Sequence, residues 1–322
     1  MHAGRIALTP EIEGATYAWR MSGAVRALCA GLVVLALVAG CSDPQTAEKP
    51  ARSPSPTSSS PSPEAPRQGA AYVALGDSYT AGGPIGALQE HGFLCQRSSL
   101  NYPSIVATTL DLPLTDVSCG GATSAGLLEP VRGVPAQIDA IKPRTRVVTV
   151  GVGGNDFGLY SSLLLTCPDV SKPGQPGAPC RNRLESEVAA TIPAIGDKVG
   201  ATLAAVTRKA PKAEILLVGY PRLMPRNGTC DEAPYAARDV AWIASLESDL
   251  SASLAAAARA HDATFVPMYA RSKGHDLCSG DDAWVNGLDP ADGDGLVLHP
   301  NAAGERAIAA AVVRAVRDAG GA

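Results

Sequence analysis

Short apolar runs alternate along residues 70–322 with longer stretches whose apolar positions recur every three or four residues. The runs are AYVALG (71–76), LTDVSC (114–119), RVVTVGVGG (146–154), AEILLVGY (213–220) and ATFVPM (263–268). Most lack strict polar alternation, which predicts strands of a parallel sheet covered on both faces. The intervening stretches predict helices. YPSIVATTLDL (102–112) is short, and RLESEVAATIPAIGDKVGATLAAVTRKA (183–210) is long and interrupted by Pro193. YAARDVAWIASLESDLSASLAAAARAH (235–261) is Ala-rich, and NAAGERAIAAAVVRAVRDAG (301–320) closes the chain. This succession predicts a three-layer α/β/α sandwich around a central parallel sheet. Ligands of such sheets bind beyond the carboxyl ends of the strands. Two polar segments fall there, Gly76-Asp77-Ser78 after the first run and GGNDF (153–157) after the third.

The pattern before residue 70 is different. Residues 21–41 read MSGAVRALCAGLVVLALVAGC, with Arg26 ahead of about a dozen apolar residues. A positive flank and a short apolar core predict an export signal, too short for a comfortable membrane span. The signal ends in Val38-Ala39-Gly40-Cys41, which resembles the lipobox of bacterial lipoproteins, where the cysteine is acylated; an ordinary secretory signal or a short anchor is the alternative. Residues 1–20 carry Glu11 and Glu13, unlike a signal's positive flank, so Met21 is a candidate true start. Residues 42–69 hold Pro, Ser and charge with almost nothing to bury, which predicts a disordered tether. The expected organisation is thus a signal region over 1–41, a linker over 42–69 and one well-cored domain over 70–322. The expected location is outside the cytoplasm, lipid-anchored at the outer face of the cytoplasmic membrane or secreted.

The formal net charge is −4, with no basic block and no aromatic-basic interleaving, so nucleic acid is excluded as a partner. Beyond the signal and Cys41 there remain Cys95, Cys119, Cys167, Cys180, Cys230 and Cys278, an even set suited to an oxidising compartment. Pairing of nearest neighbours in sequence is expected: Cys95 with Cys119, Cys167 with Cys180, Cys230 with Cys278. The middle pair brackets PDVSKPGQPGAP, read as a loop that needs a staple. No close Cys-x-x-Cys pair supports zinc instead. DPADGDG (289–295) suggests calcium but lacks the distal glutamate of an EF-hand, and no metal is expected.

Four segments carry candidate chemistry: GDSYTAG with Ser78, CGGATS (119–124) with Gly121, GVGGNDF (151–157) with Asn155, and LVLHPNAAGERA (296–307) with His299. Serine is a poor nucleophile until a base is positioned beside it, and imidazole titrates near neutrality. Attack on an ester builds charge on the carbonyl oxygen, for which neutral donors must already be in place. The N–H groups of Ser78 and Gly121 and the side chain of Asn155 suit that task. Each residue also has a bland reading: Ser78 or His299 as a helix cap, Gly121 as a turn residue, Asn155 as an Asx-turn former. Asp77 and Asp156 are read as loop braces, and His261 as the C-cap of the Ala-rich helix or a surface residue.

Order, spacing and position together resemble the SGNH hydrolases, also called the GDSL esterase/lipase family, over essentially all of 70–322, and most of all its secreted actinobacterial members. The resemblance implies a flavodoxin-like sandwich, cofactor-free ester hydrolysis through an acyl-enzyme, Ser78 and His299 as catalytic pair, and Ser78, Gly121 and Asn155 as oxyanion hole. Many members place an aspartate three residues before the histidine. Here that position is Leu296, whose main-chain carbonyl is the expected orienting group, with Asp294 as the alternative. The expected partner is an ester substrate, met by a monomer whose lipid anchor holds it to the membrane. Lipase, phospholipase A or glycan deacetylase activity remains open, as does a non-catalytic envelope lipoprotein with the same fold. A conventional α/β-hydrolase is disfavoured, because its nucleophile sits in Gly-x-Ser-x-Gly.

Overall fold

The structure is a computed structural model that describes residues 71–320 apart from His91 and Arg132. The expectations for the signal, Cys41 and the linker over 42–69 lie outside the described residues. The five strands are β1 (Tyr72–Gly76), β2 (Leu114–Asp116), β3 (Val147–Gly151), β4 (Glu214–Val218) and β5 (Thr264–Val266). All pair in parallel, in the order β2-β1-β3-β4-β5. The helices that follow β1 and β2 are α1 (Ser78–Ala81), α2 (Tyr102–Leu110) and α3 (Ser124–Leu128). After β3 come α4 (Leu159–Val170), α5 (Pro179–Val188) and α6 (Thr191–Lys209). The chain then runs through α7 (Ala237–Ala260), α8 (Met268–Arg271) and α9 (Ala302–Asp318).

Alternation along the strands explains the layers. Val73 and Leu75 of β1 join Val148 and Val150 of β3 in a core shared with Ile195 and Leu203 of α6 and Leu250 and Leu254 of α7. Tyr72 and Ala74 point the other way, into a second core with Val106 of α2 and Val312 of α9. Burial on both faces is what turns period-two strands into continuous apolar runs. The expected three-layer sandwich is therefore present. Its strand order reverses direction between β1 and β3, and a crevice opens beyond the carboxyl ends of strands at such a point. Among the described residues no helix is long and apolar enough to cross a membrane.

Three local expectations need correction. The long helical stretch breaks at Ala189–Ala190, not at Pro193, which lies in the first turn of α6 where its missing N–H costs nothing. The segment between Cys167 and Cys180 is not all loop, because α4 runs through Pro168 to Val170 and α5 begins at Pro179. The second strand ends at Asp116, so Val117, Ser118 and Cys119 already belong to the turn beyond it. Cys95–Cys119, Cys167–Cys180 and Cys230–Cys278 stand as disulfides, with Cα separations of 4.1, 5.0 and 5.6 Å. His261 is the C-cap of α7.

Candidate active site

The site begins where β1 stops. A side chain on Gly76 would fall 2.1 Å from Thr80 Oγ1 and 2.8 Å from the Gly151 carbonyl, so only glycine lets the chain turn this tightly. Asp77 caps the four-residue α1 by accepting the Tyr79 N–H at 3.0 Å. The cap is thus Asp77, and Ser78 is the first helical residue, whose N–H has no carbonyl a turn behind it. Gly82 then ends the helix in the left-handed region at φ 77°.

His299 comes from the far end of the chain. Its Nε2 lies 2.7 Å from Ser78 Oγ, across 221 residues of sequence. Its Nδ1 lies 2.8 Å from the Val297 carbonyl. This corrects the expectation for Leu296 by one residue. Leu298 adopts φ 57°, a left-handed kink that turns the carbonyl two residues back onto the ring. The Leu296 carbonyl instead accepts from Asn286 Nδ2 at 3.1 Å and from the His299 N–H at 3.3 Å. Asp294 does not reach the imidazole either, because its Oδ1 accepts the Ala302 N–H at the start of α9. Asn301 caps that helix, accepting the Gly304 N–H at 2.9 Å. Burial lowers the pKa of His299, against the opposing pull of the Val297 carbonyl, which leaves the ring in its neutral, basic form at neutral pH.

The other two segments are laced to this pair. Gly76 O accepts the Cys119 N–H at 3.0 Å, and the N–H groups of Gly120 and Ala122 are also engaged. Among the described residues no backbone acceptor takes the Gly121 N–H, and Gly121 holds φ 75° with open space around its Cα. Asn155 spends one side-chain hydrogen on the Ala122 carbonyl at 3.1 Å and keeps the second. Asp156 beside it accepts the Ser124 N–H at 2.8 Å and its hydroxyl at 2.5 Å, tying the third segment to the second. Asp156 is a brace, as is Asp77.

Further residues shape the site without a local sequence signal. Gln137 is buried and makes a paired clamp on Gly76, its Oε1 accepting the N–H at 2.8 Å and its Nε2 donating to the carbonyl at 2.9 Å. Tyr220, two residues past the end of β4, donates to Asp77 Oδ2 at 2.6 Å and accepts the Gly154 N–H at 2.8 Å. Burial raises the Asp77 pKa to about 7 even with Tyr220 donating to it. The Tyr79 hydroxyl donates to the Leu298 carbonyl at 2.7 Å. A polar residue inside an apolar segment was the one hint of Gln137; nothing nearby in sequence marks its partner.

Beside Gly121 opens a cleft of about 440 Å³, lined by Leu94, Cys119, Gly121, Val131, Val134 and Gln137 among others. Large apolar side chains stand in water around these segments. Phe93 is 79% exposed, Leu94 85% and Phe157 56%, and Val131 and Val297 are also exposed. Such a rim offers apolar surface next to a polar reacting centre.

Comparison with known proteins agrees with this geometry. Residues 74–307 match the GDSL-like lipase/acylhydrolase family. The chain is 36% identical to Lipase 2 of Streptomyces coelicolor over 252 residues, covering 74% of this chain and 83% of that one. Its fold is similar to the crystal structure of phospholipase A1 from Streptomyces albidoflavus NA297, with a TM-score of 0.64 and 27% identity, over 77% of this chain and 98% of that one. It is similar also to the extracellular lipase of Streptomyces rimosus, with a TM-score of 0.62 and 27% identity, over 76% and 97% of the two chains. With a serine and a histidine from opposite ends of the chain in hydrogen-bond contact, and with that family matched across the sandwich, the chain belongs to the GDSL-like lipase/acylhydrolase family and is a carboxylic ester hydrolase.

Proposed function

We propose that this protein is an extracytoplasmic lipase that cleaves carboxylic esters of lipids through an acyl-enzyme formed on Ser78. The observation that carries the reading is the 2.7 Å contact between Ser78 Oγ and His299 Nε2. With Nδ1–H donating to the Val297 carbonyl, the Nε2 lone pair faces the serine hydroxyl, the tautomer a general base needs. As Ser78 Oγ bonds to the ester carbonyl carbon, its proton passes to Nε2. His299 then returns that proton to the departing alcohol oxygen, and water repeats the cycle in the second half. The N–H groups of Ser78 and Gly121 and the free hydrogen of Asn155 Nδ2 supply the oxyanion hole, where one donor is worth about 2.7–4 kcal/mol. The histidine is held by a carbonyl, so the catalytic unit is a Ser-His dyad.

The exposed apolar side chains at the mouth favour lipid over glycan esters, because a sugar would leave that surface bare. Three disulfides and the likeness to an extracellular lipase support a location outside the cytoplasm. The test is hydrolysis of nitrophenyl esters by the purified full chain. Ser78→Ala is expected to lose about 10³-fold or more in kcat. Equal rates for the two proteins would overturn the mechanism. Preference for acetyl over octanoyl esters would overturn the lipid assignment alone.

A further inference from the structure

Among the described residues, no carboxylate faces the His299 ring. Ser78 Oγ meets one nitrogen and the Val297 carbonyl the other. Asp294 is turned to the Ala302 N–H, and Asp77 to the Tyr79 N–H and the Tyr220 hydroxyl. What lies against the imidazole is Tyr79, with ring centroids 4.6 Å apart and planes 37° from parallel. Rings meeting edge to edge in nearly one plane would stand farther apart, so this is contact through the faces. Tyr79 cannot swing away. It is 8% exposed, its hydroxyl is fixed on the Leu298 carbonyl, and Tyr220 meets its ring in a T-shaped contact at 5.0 Å.

We propose that Tyr79 is a positioning residue for the general base, acting through the face of its ring. Its π-face stabilises the imidazolium that forms when the Ser78 proton reaches Nε2, a cation that no carboxylate neutralises here. The aromatic face thus does part of the work that a buried aspartate does in a Ser-His-Asp triad. The inference rests on the Ser78–His299 reading above.

The test reads the histidine directly. Histidine is labelled with nitrogen-15 in the full chain carrying Ser78→Ala, and the His299 titration is followed by NMR with Tyr79 intact, as Tyr79→Phe and as Tyr79→Leu. Loss of the ring face removes a stabiliser of the cation, so the pKa should fall by about one unit in Tyr79→Leu and stay within about 0.3 unit in Tyr79→Phe. With Ser78 present, Tyr79→Leu should lose about tenfold in kcat on a soluble ester with KM little changed, and the acid limb of kcat/KM should move to lower pH. Tyr79→Phe should retain most of the rate. A merely structural role would lower the plateau and leave the limb in place, and that result would overturn the proposal. Should Tyr79→Leu not fold, fluorinated phenylalanines at position 79 keep the shape while weakening the ring quadrupole. The His299 pKa should then fall with each added fluorine, and an unmoved pKa overturns the proposal equally. If the pKa falls but hydrolysis survives Ser78→Ala, the dyad reading fails while the ring contact stands.

Discussion

Beneath the Ser78–His299 pair, polar groups are buried and paired: Asp77 with Tyr79 and Tyr220, Gly76 with Gln137, Asp156 with Ser124. At the rim, Leu94, Val131, Phe157 and Val297 are apolar and stand in water. The floor breaks no rule of burial, and the rim breaks the commonest one. Each choice suits its task. Reacting groups must keep their geometry without reorganising, which satisfied hydrogen bonds in a dry setting provide. A surface that meets a lipid, as proposed for this rim, needs apolar area and little else, and loops supply that without touching the scaffold. The floor should therefore be intolerant in rate and stability alike, and the rim in substrate choice alone.

That division can be broken experimentally. The largest effect belongs to the floor: Asn155→Ala should cost about 10²–10³ in kcat at nearly constant KM, read from steady-state kinetics on a soluble ester. A rate within tenfold of the parent would remove Asn155 from the donor set. Next comes Gln137→Ala, which leaves the Gly76 N–H and carbonyl without their clamp. The carbonyl keeps the Cys119 N–H, so one buried group, the N–H, is abandoned at about 1–3 kcal/mol; at about 2–4 °C per kcal/mol for a domain of this size, melting should fall by roughly 2–12 °C. An unchanged melting temperature would mean that the end of β1 is held by its neighbours alone. The smallest effect sharpens the contrast. Leu94→Ser combined with Phe157→Ser should leave melting within about 2 °C, since exposed positions rarely exceed about 0.5 kcal/mol each. The pair should slow hydrolysis of a dispersed long-chain ester several-fold while a soluble short-chain ester stays within about twofold, about 0.8 kcal/mol being lost per methylene no longer covered. Equal losses on both substrates would place these side chains in the floor.

The sheet was legible in the sequence because strands buried on both faces leave unbroken apolar runs, and five such runs became five parallel strands. Helix α4 was not, since GLYSSLLLTCPDV mixes apolar and polar positions and leads into a Pro- and Gly-rich segment that reads as loop. The four chemical segments could be placed from their strand-end positions, but how they interlock could not. The carbonyl on His299 differs by one residue from expectation because a leucine, not a glycine, takes the left-handed conformation at 298, a choice that local propensity disfavours. Gln137 and Tyr220 act across 61 and 143 residues, and no pattern along the chain marks such pairs.

The disulfide from Cys95 to Cys119 joins the two regions, with Leu94 next to one half-cystine and Gly121 two residues past the other. It closes a covalent ring spanning 24 positions, within which α2 and β2 also lie. Whatever the length of chain between the two half-cystines, the bond ties the position of Leu94 at the mouth to that of the segment carrying Gly121. Residues 133–136 and 157–178 lie outside that ring, so an insertion there would remodel the entrance without loading this bond.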